Sequence, residues 1–134
     1  SERLTPMKHL LIAVLAIAGI SAPARAHHSF AAEYDDKKAI KLTGAITKVD
    51  WSNPHVYFYI DVEDDKGNVA NWAMEMGAPG ALRGRGWDKN TLKIGDVITV
   101  EGSRAKDGGN HANARNVIVA ATGKVLGAAS SQGQ

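Results

Sequence analysis

Between His55 and Met76 the chain reads HVYFYIDVEDDKGNVANWAMEM. Val56, Phe58, Ile60 and Val62 alternate with His55, Tyr57, Tyr59 and Asp61. A period of two marks a strand with one buried face, because successive side chains point to opposite sides. Asp64-Asp65-Lys66-Gly67-Asn68 is a turn, and Ala70 to Met76 is the returning strand. A three-residue loop with Gly67 left-handed in a bulge pairs Asp64 with Asn68. Phe58 then faces Met74, Ile60 faces Trp72, Val62 faces Ala70 and Val56 faces Met76, and all eight are apolar. A two-residue loop would instead turn Asn71 and Glu75 onto that apolar face. Burying a carboxylate without a partner is costly, so the three-residue loop is expected. It puts Tyr57 opposite Glu75 on the outer face, with His55 near the same end.

Further strands flank this hairpin. Ile40 to Trp51 (IKLTGAITKVDW) alternates around Gly44, which reads as a long strand that bends or bulges. Ser52-Asn53-Pro54 ends it, since proline has no N–H for a ladder and restricts Asn53. Gly77 to Trp87 (GAPGALRGRGW) allows one short helical turn near Ala81 to Gly84. Val97 to Glu101 and Ala114 to Ala121 are the fourth and fifth strands, joined by a polar loop from Ser103 to Asn110. The pattern predicts an all-β fold, a small five-stranded OB-like Greek-key barrel with a short helical turn between strands 3 and 4. A sandwich-like barrel of other topology is the alternative. The barrel is expected over residues 40–126, after an N-terminal arm at 27–39 and before a flexible, small and polar tail at 127–134.

Residues 7–26 (MKHLLIAVLAIAGISAPARA) carry a short basic start, an apolar run from Leu10 to Ile20 and an Ala24-Arg25-Ala26 cleavage site. That is the pattern of a secretory signal peptide, and Ser1 to Pro6 read as upstream residues. The apolar run is too short to cross a bilayer core as a helix, so no membrane span is expected in the mature chain. Cleavage after Ala26 leaves 108 residues beginning His27-His28-Ser29-Phe30. Arg3, Lys8, Arg25 and Glu2 lie in the removed segment, which leaves 13 basic and 13 acidic residues. A neutral exported domain lacks the basic footprint of a nucleic-acid binder. The absence of cysteine excludes disulfides, thiolate metal sites and a cysteine nucleophile.

The mature N-terminus is the most specific chemical feature. A free His27 offers its α-amino nitrogen and imidazole Nδ1 to one metal, closing a chelate ring. One distant imidazole completes an all-nitrogen, T-shaped site suited to copper. His28 adds a second-position ligand, whereas Ser29 at position three excludes the third-position histidine motif. His55 is the first choice for the distant ligand and His111 a further option. Met74 and Met76 are soft thioethers, but their alternation beside Trp72 reads as core. Tyr57, Tyr59, Asn53, Asn71 and Glu75 cluster where this architecture binds ligands, although an ordinary solvated strand face has the same composition.

Several short motifs occur together in order: His27-His28-Ser29-Phe30, Trp51-x-Asn53-Pro54-His55, Trp72-x-x-Glu75, Arg85-Gly86-Trp87, Gly95-Asp96-x-Ile98-x-Val100-x-Gly102, Ala105-Lys106-Asp107-Gly108 and Ala112-Asn113-Ala114-Arg115. In this combination the chain resembles a bacterial family of small exported proteins, domain of unknown function 6152. The resemblance implies a periplasmic single-domain protein and brings no activity with it. It adds weight to His27, His28, His55 and Glu75, which lie in the matching motifs, and none to His111.

Three readings follow. The first is a non-catalytic copper-binding or copper-delivery protein using His27, His28 and His55, with a metal ion or another periplasmic protein as partner. The second is an OB-type binding module or accessory subunit that uses the hairpin face and no metal. The third is a copper-dependent oxidative enzyme, which the sequence favours least because no acid–base pair or extended substrate surface is legible.

Overall fold

The computed structural model describes residues 30–132. The leader reading of residues 1–26, and His27 and His28, lie outside the described residues. The fold is all-β. After a helical turn α1 (Phe30–Glu33) come β1 (Tyr34–Asp50), β2 (Tyr57–Glu63), β3 (Val69–Glu75), the short helix α2 (Pro79–Arg83), β4 (Val97–Ala105), β5 (His111–Val119) and β6 (Val125–Gly127). The strands form one sheet in the order β3-β2-β1-β4-β5-β6, and β3 also pairs with β5. That last pairing is parallel, Ala73 with His111, Met74 with Ala112 and Glu75 with Asn113, while the others are antiparallel.

The hairpin has the expected register. Tyr57 pairs with Glu75, Phe58 with Met74, Ile60 with Trp72 and Val62 with Ala70. Gly67 has φ +81°, a left-handed conformation that glycine adopts without penalty. Asp64 organises the loop, its carboxylate accepting from the backbone N–H of Lys66 and Asn68, each at 2.9 Å. Those two donors, Asn68 first, hold the Asp64 carboxyl below its ordinary range. Val56, Phe58, Ile60, Met74 and Met76 are buried with Ile46, Ile98, Val100 and Val117 in the core, so the methionines are packing residues.

Four expectations change. There are six strands rather than five, because β6 adds to β5 through Asn116–Gly127, Val117–Leu126 and Ile118–Val125. β1 begins six residues before Ile40, so part of the expected arm is strand. Tyr34 pairs with Ala105 and is 2% exposed, and Phe30, Tyr34 and Ala105 form a second small apolar cluster. β4 continues through Ala105, where a polar loop was expected from Ser103. The extension is paired on both sides, Ala105 with Tyr34 and Arg104 with Ala112, and the Arg104 guanidinium lies 5.0 Å from the Trp72 ring centroid and donates to the carbonyls of Gly108 and Gly109. Finally, the core does not stop at residue 126. Ala128 and Ala129 are buried, and Gly77 N–H donates to the Ala128 carbonyl at 2.9 Å. Small residues suit that place because Gly77 and Ala129 pass so closely. A Cβ on Gly77 would lie 2.6 Å from the Ala129 Cβ.

Trp87 is buried, with its indole N–H donating to the Gly127 carbonyl at 2.9 Å. Trp51 packs half-buried against the core under the Arg83 guanidinium. Among the described residues no helix is long and apolar enough to cross a membrane.

Candidate functional site

Glu75 ends β3 and is 5% exposed, one of three buried polar residues in the described chain. Its carboxylate is surrounded by donors. One oxygen, Oε1, lies 2.8 Å from His55 Nδ1. The other, Oε2, accepts from the Tyr57 hydroxyl at 3.0 Å and from the Tyr34 hydroxyl in a short bond. Each donor comes from a different place in the chain. Tyr57 faces Glu75 directly across the β2–β3 ladder. His55 stands just before β2, after the Asn53–Pro54 cis peptide. Tyr34 arrives from the start of β1, 41 residues away. Burial of the carboxylate is tolerated because all three donors face it.

His55 is bound through Nδ1, so its other ring nitrogen, Nε2, is left for a ligand or a proton. Its side chain is 31% exposed. A carboxylate that takes the Nδ1 hydrogen fixes the tautomer and orientation of an imidazole. A ring of metal-binding type is commonly held in this way.

His111 opens β5 and lies beside the cluster rather than in it. Its ring meets Tyr34 edge-on, with centroids 5.8 Å apart, and its Nε2 is 3.8 Å from Glu33 Oε1. Phe30 packs on the same tyrosine, with centroids 5.7 Å apart. The chain therefore enters the described fold next to Tyr34, three residues after His27.

The outer hairpin face divides in two. His55, Tyr57 and Glu75 come together as expected, but Glu75 is buried rather than open on the outer face, because Tyr34 from the start of β1 reaches its carboxylate. Asn71 and Tyr59 form a separate group: the Asn71 amide donates to Thr47 Oγ1, Asp61 Oδ1 and the Ile60 carbonyl, and Lys48 Nζ lies 5.4 Å from the Tyr59 ring centroid. Asn53 is exposed in the link before β2. Tyr34 and Glu33 were missed from sequence, since nothing in Ala-Glu-Tyr-Asp-Asp-Lys-Lys (residues 32–38) alternates.

Both tyrosine hydroxyls are held in the protonated form. Burial first, then the Glu75 hydrogen bond and charge, push the Tyr34 phenol far above its ordinary value of 10.0. Burial and the Glu75 charge push Tyr57 up as well. A raised pKa contributes stability that is complete below the unfolded value and lost as pH rises towards the folded one. Above pH about 10 the unfolded chain loses a proton that folded Tyr34 retains. Each further pH unit then costs about 1.4 kcal/mol for this tyrosine. Urea unfolding across the alkaline range checks this: Tyr34→Phe is expected to flatten the pH dependence relative to wild type. An unchanged slope would contradict the assignment.

The model of the Family of unknown function (DUF6152) matches residues 14–114. The chain belongs to this family. Neither a protein of curated description nor a solved structure gives a significant match. The match to DUF6152 spans β1 through the middle of β5, and so contains Tyr34, His55, Tyr57, Glu75 and His111.

Proposed function

We propose that this DUF6152 chain is an exported, periplasmic, non-catalytic copper-binding or copper-delivery protein. In this reading cleavage after Ala26 frees the α-amino group and imidazole of His27. His55 Nε2 supplies the distant nitrogen, His28 is an additional ligand and His111 a reserve one. The observation that carries it is the His55–Glu75 pair, which leaves Nε2 as the open nitrogen of an oriented ring. A second observation supports it. Phe30 is anchored on Tyr34, whose hydroxyl bonds the same Glu75, and three extended residues reach about 10 Å. Among the described residues no three His, Asp or Glu side chains group as a complete metal site. The remaining ligands in this proposal are therefore His27 and His28. Amine and imidazole nitrogens suit Cu(II), which heads the divalent affinity series.

We read the sheet as an OB-like Greek-key barrel with β6 added at its margin. In support, the pairings run β3-β2-β1-β4-β5 and return to β3. Such barrels commonly bind on the face of strands 2 and 3. The alternative of a metal-free partner surface on the hairpin is weakened by Asn71, whose amide is already engaged three times within the fold.

A Cu(II) titration of the chain beginning at His27 tests the proposal, run beside His55→Ala and His111→Ala. Stoichiometric binding is expected, weakened about tenfold to a hundredfold in His55→Ala and little changed in His111→Ala. Affinity also falls on acidification, because protons compete for the same nitrogens. Binding that ignores His55 would overturn the assignment of the distant ligand.

A further inference from the structure

Away from the Glu75 cluster, a cavity of about 370 Å³ is lined by Arg85, Arg115, Asn116, Gly127, Ser130 and Gln132. None of these residues is acidic. Neither arginine has a carboxylate partner among the described residues, where the ion pairs are His55–Glu75 and His111–Glu33. Two guanidinium groups on one cavity without a counter-charge make a positive site.

The backbone builds this site. The β4–β5 ladder shifts between Glu101–Asn116 and Gly102–Ala114, which leaves Arg115 as the extra residue of a bulge. Bulges re-aim a side chain, and they occur preferentially beside binding sites. The Arg115 carbonyl accepts from Ala128 N–H at 2.9 Å, tying the bulge to the segment after β6. On the other side Arg85 lies against residue 127, where a Cβ would stand 3.1 Å from Arg85 Nη1. Glycine at 127 thus leaves room for the guanidinium. Ser130, on the cavity wall, donates through Oγ to the buried Asn113 side chain at 2.5 Å, and Asn113 in turn donates to Ser131 Oγ at 3.3 Å. Gln132 N–H donates to Ser130 Oγ at 3.1 Å.

We propose that this cavity binds a small organic dianion presenting phosphate or carboxylate oxygens to Arg85 and Arg115. Guanidinium forks match such oxyanions in pairs of parallel hydrogen bonds. Two unit charges on the ligand would neutralise both arginines, whereas a monoanion leaves one uncompensated. The volume lies within the ~300–1,000 Å³ range of small-molecule pockets, which favours an organic compound over a bare ion. The same chemistry is presented by a soluble phosphate monoester and by a phosphomonoester lipid head group.

NMR titration of the processed chain with glycerol 3-phosphate tests it. In parallel, sedimentation with phosphatidylcholine vesicles, with and without phosphatidic acid, tests the lipid source. Saturable shifts are expected at the amides of Asn116, Gly127 and Ser130. Arg85→Gln and Arg115→Gln are each expected to weaken binding about tenfold or more, as loss of a charge-assisted contact requires. Arg83→Gln, which lies over Trp51 and outside the cavity, is expected to bind as wild type. Melting temperatures near that of wild type show that the variants are folded. Vesicle binding that needs phosphatidic acid and is lost in Arg115→Gln would support the site with a lipid source. No response to either probe, or equal losses in Arg83→Gln and Arg115→Gln, would overturn the proposal.

Discussion

Glu75→Ala is expected to melt roughly 12–24 °C below wild type. The variant removes one carboxylate and strands three donors, the hydroxyls of Tyr34 and Tyr57 and the Nδ1 hydrogen of His55. A buried donor without an acceptor costs about 1–3 kcal/mol. Tyr34 is 2% exposed and bears this most fully, while Tyr57 and His55 recover part of their hydration. A total of about 3 kcal/mol follows, and each kcal/mol is worth roughly 4–8 °C in a domain of this size. Glu75→Gln keeps the shape but has one accepting oxygen, so an intermediate loss is expected. The same substitutions release His55 from its fixed tautomer. Where copper is bound, affinity is expected to fall about tenfold to a hundredfold in each. Thermal melts by circular dichroism read the first effect, and a Cu(II) titration of the folded Glu75→Gln protein reads the second. A Glu75→Ala variant as stable as wild type would mean that the three donors find water in its place.

Gly102→Ala is expected to be the most damaging single-methyl change in the sheet. Gly102 faces Ala114 at the β4–β5 bulge, and a Cβ there would sit 2.0 Å from the Asn113 carbonyl oxygen and 3.1 Å from Ala114 Cα. Both are backbone atoms, so no side-chain rotation relieves the clash. The two strands must separate, which disturbs the bulge carrying Arg115 and the ladder beneath it. Overpacking of a tight site costs typically about 1–3 kcal/mol, and a backbone obstruction belongs at or above the top of that range. Gly44→Ala is expected to behave similarly, because its Cβ would lie 2.1 Å from the Asp61 carbonyl oxygen. Gly80→Ala is the control, having open space and a helical position. Urea midpoints well below wild type for Gly102→Ala and Gly44→Ala, and near wild type for Gly80→Ala, are the predicted outcome. A wild-type midpoint for Gly102→Ala would show that the strands part without cost.

What could be read from sequence follows from the range of the interactions involved. The hairpin register depends on alternation and on Gly67, both local, and it was legible to the residue. The meeting of His55, Tyr57 and Glu75 follows from that register. Tyr34 was not legible, because it reaches Glu75 from 41 residues away and its own segment carries no periodicity. The extension of β4 rests on pairing with Tyr34 and with Ala112, long-range contacts no local pattern encodes. Residues 127–130 were misread for a different reason. Gly-Ala-Ala-Ser (residues 127–130) has the composition of a frayed tail, yet small residues are what a crossing with Gly77 requires. Small size reports either freedom or crowding, and composition alone does not separate them.

Electron paramagnetic resonance of the Cu(II)-loaded chain tests the copper reading most directly. Two samples are needed, one beginning at His27 and one carrying a single extra residue before it. The account predicts one equivalent of copper with several nitrogen ligands in the first sample. In the second, a peptide bond replaces the free amine and that signal is lost. Weak or equal binding in both samples would contradict an N-terminal histidine site.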